Sequence, residues 1–537
     1  MSEQLPLAKL PLSQTATGTV VPVVLSTPYH FDPLATFASL RQPEGEHLLL
    51  ESAEIDSRAN LKSLMLIDAS LRLVANGNQV EITPLSANGK VIINWLATQL
   101  PAAIEQQTTA TGELQLTMPP PNPTLNEQER LLAISNLEPL RILQHQLTST
   151  REHPFAIFLA GVFAYDLLAS FETLPQVAAG ANHCPDYQYY LAETLLVIDH
   201  QQQSAELIGS LPGGEHITDR HQQLCQRMGE ILCRLQFPVA TATAATSPAL
   251  TTELTVTPTD ADFITIAEQM KSAIAAGDIF QVVPARQFKL PCHNALASYQ
   301  QLKAQNPSPY MFYLQTKAFE MFGASPESAL KFNAANRQTE LYPIAGTRKR
   351  ARNQQGQILT DQDSRIELEL RMDQKELAEH MMLVDLARND LARIAVPGSR
   401  YVADLLKVDR YSHVMHLVSR VVATLKPELD ALHAYQACMN MGTLVGAPKI
   451  SAAQLIRQAE QQRRGSYGGA VGYLNGNGDM DTCIVIRSAF VSQGTAIVQA
   501  GAGVVADSVP QAELNETEQK AQAVIQAILT ANEGAQQ

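Results

Sequence analysis

Hydrophobic and polar positions in this 537-residue chain fall into strand-like alternation and helical repeats at three and four residues. "HFDPLATFASLR", residues 30–41, predicts a helix opened by Asp32 with Pro33 at its first position. "HLLLES" follows as a short buried strand, and "SLMLIDASLRLVANGNQVEITPL" as a β-meander turned at "NGN". "VIINWLATQLPAAIEQQ" predicts a helix, and "PPPNPTLNEQERLL" a loop with a helix starting near Asn126. "FAIFLAGVFA" and "YYLAETLLVID" read as strands, and "DRHQQLCQRMGEILCRL" as an amphipathic helix. The rhythm then stops: "PVATATAATSPALTTELTVTPT" is rich in Thr, Ala and Pro and aperiodic, which marks a linker. The expected division is a first region at 1–237, a linker at 238–257, a second region at 258–528 and a tail at 529–537. Strands and helices without regular βαβ alternation favour an α+β fold.

Composition narrows the function. With 45% hydrophobic and 17% charged residues the chain is an ordinary globular protein. A net charge of −14 argues against a nucleic-acid partner, which needs a basic face, but permits a locally basic pocket. Cys184, Cys225, Cys233, Cys292, Cys438 and Cys483 form no C-x-x-C pair, as in a reduced cytoplasm. The first residues lack an apolar signal core, and no long apolar run predicts a membrane span.

Candidate chemistry lies almost entirely after the linker. Glu376 and Glu379 sit three apart at the start of one helical pattern, and Glu513 and Glu516 at the start of another. Each pair shares a helix face, so two helices offer four carboxylates to a hard cation such as Mg²⁺. The alternative is that acidic first turns merely complement the helix dipole. The second pair follows Gly501-Ala502-Gly503, a turn that lets backbone approach a ligand and offer N–H groups to an anion, or simply a tight turn. Arg487 alternates with Cys483, Val485 and Ala489, where an arginine calls for a carboxylate from the protein or a ligand. Tyr467, among glycines in "GSYGGAVGY", either meets a small molecule or sits in the core. His413 and His416 face opposite sides of a predicted strand, which disfavours a joint metal site; one of them suits a general acid. With no Walker motif, G-x-S-x-G elbow or Cys-His nucleophile signature, the inventory fits metal-assisted chemistry on a small polyanion.

"DIFQVVPARQF", "PIAGTRKR", "ELAEHMMLVDLARND", "YSHVMHLVS", "GTLVGAPK", "SYGGAVGY" and "QAGAGVVADSVPQAELNETEQKA" occur in that order. Together they resemble the chorismate-utilising enzymes and, within them, the large subunits of the anthranilate synthases. The resemblance runs from about residue 258 to 528 and reaches back into "LLLESAEIDSRANLKSLMLID". It implies two packed β-sheets covered by helices, the first region serving regulation and partner binding and interleaving with the second. It implies conversion of chorismate and ammonia to anthranilate and pyruvate with Mg²⁺. Glu379 and Glu516 would ligate the metal, with Glu376 and Glu513 behind water. Gly346, Thr347, Tyr467, Arg487 and the 501–503 turn would hold chorismate, Thr443 would line the pocket, and His416 would assist departure of the 4-hydroxyl.

The nucleophile separates the relatives. Aminodeoxychorismate synthases carry a lysine where this chain has Ala345, and Gln281 stands where isochorismate and salicylate synthases carry a water-activating lysine. Neither residue here attacks or activates water, which leaves ammonia. No glutaminase cysteine motif is present, so the resemblance implies a separate glutamine amidotransferase subunit. Ser52 in "LLLES" and Pro309, Tyr310 and Met311 in "NPSPYMF" resemble a tryptophan site for feedback inhibition. Lys349 and Val445 depart from frequent family residues without touching a proposed ligand group. The alternatives are an aminodeoxychorismate synthase component and a non-catalytic regulatory homologue.

Overall fold

The computed structural model describes residues 12–53, 60–122, 124–236, 254–353, 355–411 and 414–534. Its frame is two antiparallel-rich sheets that share two long strands, Asn60–Asn76 and Tyr187–Asp199. These pair along most of their length, from Lys62–Asp199 to Ala75–Tyr187, with register shifts between Leu66 and Leu71. At the shifts Asp68 accepts from Thr194 Oγ1 at 2.6 Å and from two nitrogens of Arg227, each at 2.9 Å. Irregular pairing bends strands and re-aims their side chains. One end of the strand pair therefore belongs to one sheet and the other end to the second.

The first sheet continues from Asn60–Asn76 to His47–Ala53, then Tyr310–Gln315, Glu320–Ser325, Ser488–Ser492, Thr495–Gly501 and Ala285–Pro291. The second continues from Tyr187–Asp199 to Phe158–Phe163, then Ala470–Asn475, Met480–Ile484, Ser328–Asn333, Gln338–Leu341 and Val414–Thr424. Both sheets thus join strands from either side of the expected linker.

Alternation along the strands fills the space between the sheets. Phe312, Leu314, Phe490 and Ile497 meet Phe158, Ala160, Val162 and Val471 there. Their neighbours Tyr313, Ala489 and Val498 point outward, against Leu224, Tyr299 and Val524 of the covering helices Ile217–Gln236, Ala295–Gln305 and Pro510–Gly534. A third cluster packs helices Ala87–Gln99, Gln374–Ala392, Ala431–Cys438 and Lys449–Glu460 on the second sheet. Fully burying one such aliphatic or aromatic side chain is worth about 1.5–3 kcal/mol, so each layer matters to the whole. The α+β sandwich expected from the sequence is the fold observed.

Several local expectations differ. The helix expected through residue 107 stops at Gln99, before Pro101, and Glu105–Thr108 instead pairs as a strand with Leu114–Thr117. Of the expected linker, residues 238–253 lie outside the described residues, while Thr255–Thr257 is a strand paired with Gln287–Lys289. The last helix runs through Gly534, beyond the expected start of the tail. Arg487 does not continue a strand: it sits between Met480–Ile484 and Ser488–Ser492 with φ of 46°, in the left-handed region. The alternation ends at Ile484, which takes the arginine out of the strand face it was assigned to. All six cysteines are unpaired, and among the described residues no helix is long and apolar enough to cross a membrane.

Candidate active site

The site is built at a bulge. Strands Ile344–Lys349 and Val414–Thr424 pair Ala345 with Leu417 and Thr347 with His416, so Gly346 is the extra residue. The strand runs on to Lys349 through the bulge. Gly346 has φ of 72°, and a Cβ there would lie 3.1 Å from Glu376 Oε2 and 3.0 Å from Leu370 Cδ1. Only glycine adopts that backbone without strain, which explains the residue at this point.

The bulge aims Thr347 and the Gly346 carbonyl at one imidazole nitrogen. His416 Nδ1 lies 3.0 Å from Thr347 Oγ1 and 3.2 Å from Gly346 O. A carbonyl only accepts, so this hydrogen-bond network assigns the proton to Nδ1. Nε2 is then bare, buried and without a protein partner. Burial, and next the charge of Arg487, lower the His416 pKa to about 3. The ring is neutral at physiological pH and has no proton to donate from Nε2. His413, the other candidate, lies outside the described residues.

Two helices bring in the carboxylates. Asp373 caps Gln374–Ala392, accepting from the Lys375 and Glu376 N–H groups, and this fixes the first turn. Arg348 then donates to Glu376 at 2.8 Å and to Asp373 at 2.7 Å. Gln281 Nε2 donates to Glu379 Oε1 at 2.7 Å, and Gln281 is itself paired with Ala447 in a two-stranded ladder. From Pro510–Gly534, Glu513 is buried, and Glu516 lies 2.7 Å from Lys520 Nζ. Burial and then the charges of Glu376 and Glu516 raise the Glu379 pKa. Burial likewise raises that of Glu513, with Glu516 adding to it. Glu379 and Glu516 thus come within electrostatic reach of each other across the two helices.

Among the described residues, no group of three or more acidic, histidine or cysteine side chains is close enough to form a complete metal cage. The oxygen donor set fits a hard cation that takes one or two protein ligands and keeps water, which is the habit of Mg²⁺. Gly503 makes room beside it: a Cβ there would stand 2.7 Å from Gln281 Nε2 and 3.4 Å from Glu379 Oε1.

The glycine turn ends the strand Thr495–Gly501. The Ala502 N–H donates to Pro284 O at 3.2 Å, so that amide is committed within the protein. Gly501 O accepts from Lys520 Nζ at 2.9 Å. Tyr467 is buried beside the turn, its ring under the guanidinium of Arg464 at 5.6 Å. Arg464 also donates to Leu444 O at 2.8 Å, next to Thr443, and pairs with buried Glu460 at 2.6 Å. Arg487 is half-buried, and no carboxylate of the described residues reaches it within ion-pair distance; burial lowers its pKa.

Sequence reasoning missed two residues. Glu327 accepts from Thr443 Oγ1 at 3.0 Å and is 6% exposed. Burial raises its pKa to about 8, against smaller opposing effects of Thr443, Lys520 and Arg487. A signal was available: Glu327 sits in the two-residue connection between the buried runs "MFGAS" and "SALKF", an odd place for a charge. Lys520 follows Glu516 by one helical turn and links that carboxylate to the glycine turn.

Ser52, Pro309, Tyr310 and Met311 come together along one strand pair. Ser52 pairs directly with Tyr310 and Glu51 with Met311, while the Ala53 N–H donates to Pro309 O at 2.9 Å. Opposite residues in an antiparallel pair share a face. Ser52 and Tyr310 therefore look one way, and Met311 the other, into the helix layer with Tyr299.

The chain matches the family model described as chorismate binding enzyme over residues 100–526. It is 56% identical to anthranilate synthase component 1 of Vibrio cholerae over 514 residues, covering 94% of this chain and 96% of that one. With the Escherichia coli anthranilate synthase component 1 it shares 52% identity over 519 residues, covering 97% and 99% of the two chains. The crystal structure of anthranilate synthase component I from Streptococcus pneumoniae superposes with a TM-score of 0.67 at 27% identity, covering 86% of this chain and 92% of that one. The menaquinone-specific isochorismate synthase of Escherichia coli, at 19% identity, shares the fold with a TM-score of 0.65, covering 96% of this chain and 97% of that one. Glu379, His416, Arg487 and Glu516 thus stand in a chain that belongs to the chorismate-binding enzymes, among the anthranilate synthase component 1 proteins.

Proposed function

We propose that this chain converts chorismate and ammonia to anthranilate and pyruvate in tryptophan biosynthesis, in the cytoplasm. A glutamine amidotransferase subunit would supply the ammonia. Glu379 and Glu516 would hold Mg²⁺, with Glu376 and Glu513 behind water, and the bound ion would supply positive charge to one substrate carboxylate. Arg487, with no carboxylate of the described residues in ion-pair reach, suits the other. Thr347, Gly346, Tyr467 and the 501–503 turn would hold the ring and its side chain between these charges.

Glu327 carries the reading of the chemistry. It is a buried carboxyl that keeps its proton at neutral pH and lies against Thr443. It can hand that proton to the departing 4-hydroxyl as ammonia adds to the ring, so that the hydroxyl leaves as water. His416, neutral and bare at Nε2, accepts a hydrogen bond from the substrate instead of protonating it. That moves the general-acid role expected of His416 to Glu327. The enolpyruvyl group then leaves as pyruvate and the ring aromatises. Ala345 offers no nucleophile, and the Gln281 amide nitrogen is committed to Glu379.

Tryptophan inhibition through Ser52, Pro309, Tyr310 and Met311 belongs to the same reading. The Tyr310 hydroxyl donates to Asp481 at 3.4 Å. On the same strand the Ile484 N–H donates to Glu327 O at 3.0 Å. One strand thus joins the inhibitor residues to the acid.

The test is product formation by the purified chain from chorismate and Mg²⁺. Blue anthranilate fluorescence is expected with an ammonium salt and not with glutamine. Efficient use of glutamine by the single chain would remove the partner, and an aminodeoxychorismate product would favour the alternative reaction.

A further inference from the structure

Each of the four glutamates already has a partner, but the partners differ in how firmly they are held. Arg348 is tied to Asp373 as well as Glu376. Gln281 is fixed by its ladder with Ala447. Glu513 is buried, and the hydroxyl of buried Ser508 nearby favours its charged form. Lys520 is different: it reaches Glu516 from one turn along the same helix on a flexible stem, with a side chain 46% exposed. Its other contact is the Gly501 carbonyl at 2.9 Å. The ammonium therefore stands between a carboxylate read as a metal ligand and a turn read as a substrate contact.

We propose that Lys520 competes with the divalent cation for Glu516, so that metal and anionic substrate tighten each other's binding. This rests on the reading of Glu516 as a metal ligand. An ammonium and a hard cation cannot use the same carboxylate oxygen, and like charges at that spacing repel. The cation displaces Lys520 from Glu516, and the ammonium remains near the Gly501–Gly503 turn. An anion arriving there attracts Lys520 and frees Glu516. By linkage the cation strengthens anion binding by the same factor.

The test measures Mn²⁺ binding to the full chain, by the electron paramagnetic resonance signal of free Mn²⁺, with and without chorismate and with no nitrogen donor present. Without chorismate, Lys520→Gln is expected to bind Mn²⁺ about tenfold more tightly than the parent chain, the order expected for removing one partly exposed charge from a doubly charged ion. Glu516→Gln is expected to bind more weakly. Chorismate should tighten Mn²⁺ in both chains, through the carboxylate that faces the ion, and by a larger factor in the parent chain, where it also draws Lys520 from Glu516. Unchanged or weaker affinity in Lys520→Gln, beside a weakened Glu516→Gln, overturns the competition alone. An unaffected Glu516→Gln overturns the metal reading and the competition with it. Lys520→Ala, on an exposed helix position, repeats the measurement should glutamine form new hydrogen bonds.

Discussion

Glu327→Gln is expected to lose activity and gain stability, and the two effects have separate pH signatures. Glutamine keeps the shape and can still accept from Thr443, but it has no proton to transfer. General acid help is worth about 10²–10⁴ in rate, so turnover should fall by that order. The stability effect follows from the raised carboxyl pKa, about 8 against an ordinary 4.5. Between those values the native chain keeps a proton that the unfolded chain has lost. Stability from this group is therefore greatest below the unfolded value and declines as pH rises toward the native value. At about 1.4 kcal/mol per pH unit, the decline by pH 7 is roughly 3 kcal/mol. Glutamine removes this dependence. The variant should match the parent chain at acid pH and exceed it increasingly toward pH 8. The assay is thermal unfolding of both proteins across that range, beside anthranilate fluorescence rates normalised to free ammonia. The parent rate should show an alkaline limb near about 8, where Glu327 gives up its proton. A stability difference that does not vary with pH, or a variant within tenfold of parental turnover, would refute the assignment.

Ser52→Phe places a ring opposite Tyr310 in the strand pair and is expected to relieve tryptophan inhibition while leaving most uninhibited activity; superimposable titration curves for the two proteins would take Ser52 out of the site. His416→Ala removes a hydrogen-bond acceptor at the leaving group and should lower turnover by about 10- to 100-fold. Because the imidazole is already neutral, no acid limb near the usual histidine value should belong to it, and a limb there that vanishes in His416→Ala would restore its role as acid.

How much of this was legible in the sequence depends on where the determining physics lies. For the glutamates at 376 and 379 and at 513 and 516, helical spacing alone gives the pairing within each helix, whereas the approach of Glu379 to Glu516 across two helices is visible only in the structure. The sandwich came through the family resemblance, whereas periodicity alone reached only α+β. Arg487 was misread because alternation carries no mark of the residue where a strand breaks into left-handed backbone. Pro101 does carry such a mark, and the helix expected across it stops just before. Glu327 and His416 were hardest, since their properties come from burial and from neighbours distant in sequence. A carboxyl that stays protonated and an imidazole that stays neutral look like any other Glu and His until Thr443, Gly346 and Arg487 are placed around them.

The sharing of Asn60–Asn76 and Tyr187–Asp199 between the sheets bears on how the chain is made. The edge of His47–Ala53 finds its partner only when Tyr310–Gln315 has been synthesised, and Phe158–Phe163 waits for Ala470–Asn475. At ribosomal speed the first edge stays open for on the order of ten to fifty seconds. An open strand edge recruits whatever extended chain is near it. Each half thus leaves an edge that only the other covers, and a gene cut at the expected linker should give two insoluble products that become soluble only when made together.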